Sequence, residues 1–231
     1  MPRISATRRA KTADASQVEA QILVAATIEF AERGLNGARL DVIATRARTT
    51  RAMIYYYFGG REALYLTVLE QAYRSIRAAE RELDIGHMQP VAGLRRLVEF
   101  VFDYYQANPT FVALVVAENQ TGGRYIRKLR KMREINLSIV DTLSDVLARG
   151  AQTGVFRRGI DPVDVHLAIS ALGIFQVANR ATFSYIFRRD LGDAQEVAKN
   201  RRLVVEIVLR YLGSPSQREE QSNPAPVSAL A

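Results

Sequence analysis

Thr49, Thr50, Arg51, Tyr55, Tyr56 and Tyr57 fall within nine residues and bring hydroxyls, a guanidinium and three phenols to one short stretch of chain. Such groups donate to phosphate oxygens and base edges, so the chemistry they suit is nucleic-acid recognition rather than bond making. Groups that make and break bonds are scarce elsewhere. The 231 residues contain no Cys, which excludes a disulfide scaffold, a thiolate nucleophile and a Cys-ligated metal, and fits a reducing, cytoplasmic location. His87 and His166 are the only histidines, too few for most histidine metal sites or triads. Neither a phosphate-binding glycine loop nor a metalloprotease or hydrolase motif occurs, and His166 near Asp164 reads as an ordinary helix residue. The expectation is a binding protein, not an enzyme, with no cofactor and no metal.

The recognition cluster needs helices to hold it. Leu40 to Ala47 reads as a short helix, a break follows at Arg48 and Thr49, and Arg51 to Phe58 reads as a second helix with Thr50 as its N-cap. Ile54 and Phe58 supply its inward face, and Gly59-Gly60 end it. Two short helices joined by about three residues form a helix-turn-helix, whose second helix fits a major groove. The competing reading is an ordinary helical hairpin with packed tyrosines and solvated arginines. Ahead of the pair, Ser16 and Glu19 read as a capping box and Gly34 as the stop of a helix lined by Ile22, Ala26 and Phe30. Behind it, Leu64, Val68, Ala72 and Ile76 predict a long helix from Arg61 to about Leu83, and Gly86 to Pro90 a hinge.

Helical punctuation continues to the end: Val91 to Gln106, Pro109 to Asn119, Gly123 to about Gln152, Pro162 to Phe187 and Ala194 to Leu212. No alternating strand pattern competes, so the fold class is all-α. The domain expectations are a flexible basic arm (1–15), a three-helix helix-turn-helix domain (16–60), a connecting helix (61–83), a larger helical ligand-binding and dimerisation domain (84–212) and a flexible tail (213–231).

Val42-Ile43-Ala44, Ile54-Tyr55-Tyr56-Tyr57-Phe58 and Arg61-Glu62-Ala63-Leu64, preceded by Ala25-Ala26, Phe30 and Gly34, resemble the N-terminal domain of TetR-type transcriptional regulators over about Gln17 to Glu70. The resemblance implies a dimeric, all-helical regulator whose ligand domain switches its grip on an operator, more often as a repressor than as an activator. It implies that Thr50, Arg51 and Ala52 face bases and backbone, that Tyr55, Tyr56 and Tyr57 reach phosphates or bases, and that Arg61 holds a phosphate. Arg39, Arg48 and Thr49 complete the expected DNA-contacting set. The sequence departs from the family pattern at Ala38, Arg48, Ala52 and Tyr57. An Arg where the turn usually has Gly costs on the order of 1 kcal/mol in a left-handed conformation, or serves a phosphate contact.

The second domain is rich in aromatics. These read either as core or as the lining of an effector pocket near Phe100, Tyr104, Phe111, Val115, Asn119, Phe175 and Asn179. Pro162 to Phe187 is apolar on nearly every side and must be covered, which with Val204, Val205, Ile207, Val208 and Tyr211 predicts a homodimer through the last two helices. A twofold places two recognition helices about 34 Å apart, or a multiple, so the operator is a pseudo-palindrome of double-stranded DNA.

Lys+Arg 32 against Asp+Glu 24 gives a net charge of +8, favouring a polyanionic partner. Residues 1 to 70 hold only ten of those cations against seven carboxylates. The arm reads equally as a minor-groove strand or a solvated start. The densest run, Arg124, Arg127, Lys128, Arg130, Lys131 and Arg133, reads as a solvated helix face, an anionic-effector site or an extra DNA-backbone contact. No stretch is apolar enough to span a membrane, and no membrane partner is expected. A helical adaptor or membrane-surface module is the rival class; it predicts liposome binding without salt-steep binding to duplex DNA.

Overall fold

A computed structural model describes the backbone of residues 3–213 and side chains from Ser16 onward. The side chains of the basic arm expected over 1–15, and the tail beyond Gly213, lie outside the described residues. Among the described residues ten α-helices follow one another: α1 (Arg3–Gly37), α2 (Leu40–Arg46), α3 (Arg51–Phe58), α4 (Arg61–Arg81), α5 (Pro90–Ala107), α6 (Pro109–Gln120), α7 (Met132–Gln152), α8 (Pro162–Ala178), α9 (Arg180–Phe187) and α10 (Ala194–Leu212). Among the described residues there is no strand, only a single bridge between Phe156 and Gly213. The all-α reading holds.

The described residues divide into two compact units, those up to 75 with 108–133, and 76–107 with those from 134 on. The sequence boundaries fall elsewhere, because α6 packs along α1 and so leaves the larger domain for the smaller one. In the first unit Ile22, Ala26, Phe30, Leu40, Ile43, Ile54, Leu64 and Leu69 make a closed core, joined by Leu114 of α6 and by Tyr125. In the second unit α5, α8 and α10 pack on one another. Leu97, Val98, Val101, Val165, Ile169, Val204 and Val208 are buried there.

Several expected ends are where the sequence placed them. Asp161 accepts from the Val163 N–H at 2.7 Å and Asp193 caps α10 by accepting from Gln195 and Glu196. Gly34, the expected stop, takes a left-handed φ of 63° outside the helical region and breaks α1 there, a short helical stretch following to Gly37. Three expectations change. The backbone of α1 is already helical before Ser16, so the capping box is not a helix start, and the alanines of that stretch are good helix formers. The long apolar helix breaks at Asn179, which ends α8 and opens α9. Residues 86–90 are no hinge: Ile85 is buried, and the Arg149 guanidinium donates to the Met88 carbonyl at 2.7 Å.

The largest change concerns the basic run. The expected helix from Gly123 is absent; a loop with one 3-10 turn, Ile126–Lys128, precedes α7. Gly122 and Gly123 both have left-handed φ, and the Glu118 carboxylate takes the N–H groups of Tyr125 and Ile126 at 2.7 and 2.8 Å. An acceptor that captures two successive amides from outside competes with the helical ladder.

Candidate nucleic-acid interface

Helix α3 is eight residues long, so its shape depends on its ends and its one buried contact. At the start, Thr50 accepts from the Met53 N–H at 3.4 Å. At the finish, Gly59 adopts a left-handed φ of 76° and returns its N–H to the Tyr55 carbonyl. Ile54 is fully buried and pins the helix to the core of the first unit. Everything else on the outer face is free to meet a partner.

Arg51, Ala52, Tyr55 and Tyr56 are exposed, Tyr56 to 79%. A phenol held out in water forgoes the burial that usually stabilises an aromatic and leaves its hydroxyl open to a partner. Tyr57 differs from the expectation. It is half-buried, meets Tyr56 edge-on at 5.1 Å and packs against the core cluster, so it sets the angle of its neighbour. Thr50 serves the helix as its cap. The first N–H groups of α3 have no intrahelical partner and, with the helix dipole, present positive potential beside the Arg51 guanidinium.

The turn is closed by backbone bonds from Ala47 to Ile43, from Arg48 to Thr45 and from Thr49 to Ala44, at 2.9, 3.1 and 2.9 Å. Arg48 sits in the left-handed region with φ 52°, as the departure from the family pattern requires, and its side chain is exposed. Arg48→Gly is therefore expected to raise stability by about 1 kcal/mol while weakening duplex binding. Urea denaturation and a duplex titration on the same variant check both signs; a loss of stability would contradict the strained turn.

Arg39 precedes α2. Its backbone N–H donates to buried Glu29 at 3.2 Å, while its exposed guanidinium pairs with Asp41 at 2.6 Å. Arg61, at the start of α4, is exposed and donates to the Ala38 carbonyl at 3.4 Å. Arg61 thus braces the joint between α1 and α2 from the end of α4 that follows the recognition helix. All ten expected DNA-contacting residues lie in the first unit.

The seven expected effector residues are divided. Phe111, Val115 and Asn119 belong to the first unit and Phe100, Tyr104, Phe175 and Asn179 to the second. Phe111 is buried edge-on to Tyr73 at 5.6 Å, and the Asn119 amide donates to the Val115 carbonyl at 2.8 Å. Phe100 meets Tyr104 at 5.8 Å and half-exposed Phe175 meets Phe183 at 5.9 Å.

Glu118 is, from the sequence, one of the polar groups among the aromatics that need partners if buried; it is buried and, besides the two loop amides, accepts from the Tyr65 hydroxyl at 3.1 Å. Burial and that carboxylate push the Tyr65 phenol well above its ordinary range. In the second unit, Arg77 and Glu80 are both buried, 3.0 Å apart. The Arg77 Nε and both Glu80 oxygens find no hydrogen-bond partner among the described residues. Burial pushes the Glu80 carboxyl up to about 7, against the pull of Arg77 and Arg81. The signal was present: Glu80 is the next step of the stripe Leu64, Val68, Ala72, Ile76, where an apolar residue is expected.

His166 is held down to about 4, first by burial and then by Arg77. A base with a depressed folded pKa contributes stability above its unfolded pKa, near 6.5, that is lost as pH falls toward 4. His166→Asn is expected to gain on the wild type by on the order of 2 kcal/mol over that window. Melting curves of the two proteins from pH 7 to 4.5 check this; a constant gap would contradict it. Among the described residues, no helix is long and apolar enough to cross a membrane and no cluster of three potential metal ligands occurs.

Comparison with known proteins agrees with this geometry. Residues 22–68 match the model of bacterial regulatory proteins of the tetR family, and residues 90–208 match that of the tetracyclin repressor-like C-terminal domain. The chain is 36% identical over 204 residues to the HTH-type transcriptional repressor NicS of Pseudomonas putida, covering 88% of this chain and 95% of that one. It is 32% identical over 112 residues to the HTH-type transcriptional repressor SCO4008 of Streptomyces coelicolor, covering 48% and 54%. Among solved structures, SCO4942 of Streptomyces coelicolor superposes with a TM-score of 0.64 at 25% identity, over 86% of this chain and 99% of that one. FadR of Bacillus subtilis, solved with stearoyl-CoA, shares the fold with a TM-score of 0.65 at 20% identity, over 83% and 97%.

Proposed function

The chain belongs to the TetR family of bacterial transcriptional regulators, and from that premise we propose that it is a repressor released from a pseudo-palindromic operator by a small-molecule effector. The outer face of α3 carries this reading. Arg51, Tyr55 and Tyr56 stand exposed on a helix short enough for one groove and fixed at both ends. Arg39, Arg48, Thr49, Thr50, Ala52 and Arg61 flank them, with Tyr57 as a wedge beneath Tyr56.

Dimerisation is assigned to the helices of the second unit. Leu167 of α8 is 65% exposed, and Val163, Phe175, Leu203, Ile207 and Tyr211 of α8 and α10 are also exposed. Apolar side chains in that number on two helices that already pack together favour burial against a second copy.

The effector is assigned to the second unit, among Phe100, Tyr104, Phe175 and Asn179 and beside the Arg77–Glu80 pair. A buried ion pair with unfilled hydrogen-bonding capacity is costly, and a ligand that completes its hydrogen bonds relieves that cost. An acidic effector with its own donor meets both groups. Its differential affinity for a dimer with misplaced recognition helices lowers DNA affinity by the same factor, typically 1 to 3 kcal/mol. Helix α4 crosses from one unit into the other and is the continuous element along which this coupling runs. The reading places the protein in the cytoplasm, where operator and effector meet.

A fluorescence titration of the chain's own upstream duplex across a metabolite panel tests the reading. Two protomers per duplex, with release by acidic compounds, are expected. Release of the wild type and Arg77→Met alike by the same compound would remove the anchor, and absence of duplex binding would remove the function.

A further inference from the structure

The run Arg124 to Arg133 is left over by the proposed function. In the sequence it follows the expected effector residues, but in the structure it belongs to the DNA-reading unit. Over its described side chains that unit holds 13 Lys and Arg against 7 Asp and Glu, a net of +6, while the described side chains of the other unit balance at 14 against 14. Without residues 108–133 the first unit stands at 7 against 6, a net of +1. Most of its excess charge is therefore delivered by the segment that α6 carries in.

The segment is fastened, and fastened at an informative place. Glu118 holds the amides of Tyr125 and Ile126, and the Tyr125 ring stands edge-on to Tyr65 at 5.6 Å. Leu129 packs against the unit's core. The Lys128 ammonium pairs with Glu62, one residue beyond Arg61 in the first turn of α4. Helix α4 starts three residues after α3 stops, so this pair fixes the loop at the margin of the recognition surface. Not all six cations remain available. Lys128 is taken by Glu62, and Arg127 donates to the Gly122 carbonyl at 2.9 Å. Arg124 lies over the Tyr125 ring at 5.8 Å. Arg130, Lys131 and Arg133 are exposed, and none has an acidic partner within 4 Å among the described residues. Three unpaired cations close together, Arg130 and Lys131 on the anchored loop and Arg133 in the first turn of α7, cost self-repulsion unless a polyanion lies against them.

We propose that Arg130, Lys131 and Arg133 form an auxiliary clamp on the DNA backbone outside the base pairs read by α3. The clamp adds affinity without sequence preference, because it meets phosphates only. It differs from the proposed operator reading in needing no particular sequence, so the two can fail separately.

The test is a fluorescence-anisotropy titration of the full chain and of the Arg130→Ala/Lys131→Ala/Arg133→Ala variant. Two probes are used, a 30-base-pair duplex of scrambled sequence and the upstream duplex, between 50 and 200 mM salt. Each phosphate contact contributes about 0.9 to the slope of log affinity against log salt. With three clamp cations on each protomer, the wild type is therefore expected over this fourfold range to lose about 40-fold more affinity per bound protomer than the variant, on both duplexes alike. Equal salt slopes, in a variant whose melting curve is unchanged, would overturn the clamp. So would a variant that loses binding to anionic lipid vesicles while keeping its slope on DNA. A specific loss on the upstream duplex alone would also overturn it, since the residues would then be reading sequence. Arg51→Ala serves as the contrast: it weakens the upstream duplex more than the scrambled one if the operator reading holds.

Discussion

Glu118→Ala is expected to lower the stability of the DNA-reading unit by about 3–5 kcal/mol, the largest effect of any single substitution considered for it. The carboxylate satisfies three donors, the Tyr65 hydroxyl and the amides of Tyr125 and Ile126, and it is itself buried. Alanine leaves the Tyr65 hydroxyl and the Tyr125 N–H stranded in a site too enclosed for free hydration, and each stranded donor costs about 1–3 kcal/mol. Glu118→Gln keeps the shape and one acceptor, so its loss should be smaller. Urea denaturation gives the size of the effect, and amide exchange at Tyr125 and Ile126 gives its place. A midpoint within error of the wild type would mean that the latch carries no weight. The latch also links stability to charge: released from it, the basic loop no longer stays beside α4, and the alanine variant should show part of the reduced salt slope expected of the clamp variant.

Arg51→Ala and Tyr56→Ala are each expected to weaken binding to the upstream duplex by about 10- to 100-fold, and together by about a thousandfold. A bidentate guanidinium contact in a groove is worth about 1–3 kcal/mol, and Tyr56, 79% exposed in the free protein and packed edge-on to Tyr57, is open to the DNA. Neither change should alter the melting temperature by more than a degree or two, because neither side chain supports the core. That separation of affinity from stability distinguishes a contact residue from a structural one. Tyr57→Ala is the internal comparison: half-buried against the core, it should lose stability and affinity together.

The recognition helix was legible in the sequence because its determinants are local. A capping Thr50, an inward Ile54, a closing Gly59 and a polar-aromatic outer face lie within ten residues, and the structure forms the same helix from Arg51 to Phe58. The partners of Glu118 and the basic loop were not legible, for the opposite reason. Nothing near position 118 says that Tyr65, 53 residues earlier, will need an acceptor, or that a carboxylate will capture two amides and stop a helix whose apolar spacing was otherwise good. Pattern reasoning ran one helix from Gly123 to about Gln152, whereas the hydrogen bonds from Tyr125 and Ile126 to Glu118 leave a loop with one 3-10 turn ahead of Met132, where α7 starts. The domain boundary was missed the same way, since α6 gives no local sign that it packs on α1. The net charge of +8 looked spread along the chain until folding gathered most of it into one unit.

The central claim is that α3 reads duplex DNA as one of a symmetric pair, and a footprint of the upstream DNA tests it most directly. Wild-type protein should protect a pseudo-palindrome whose half-sites lie one helical turn, about 34 Å, or a multiple of it apart. The Arg51→Ala/Tyr56→Ala variant, folded and dimeric, should leave the same stretch open at the same concentration. Equal protection by both proteins, or a single protected site without a second half, would contradict the account.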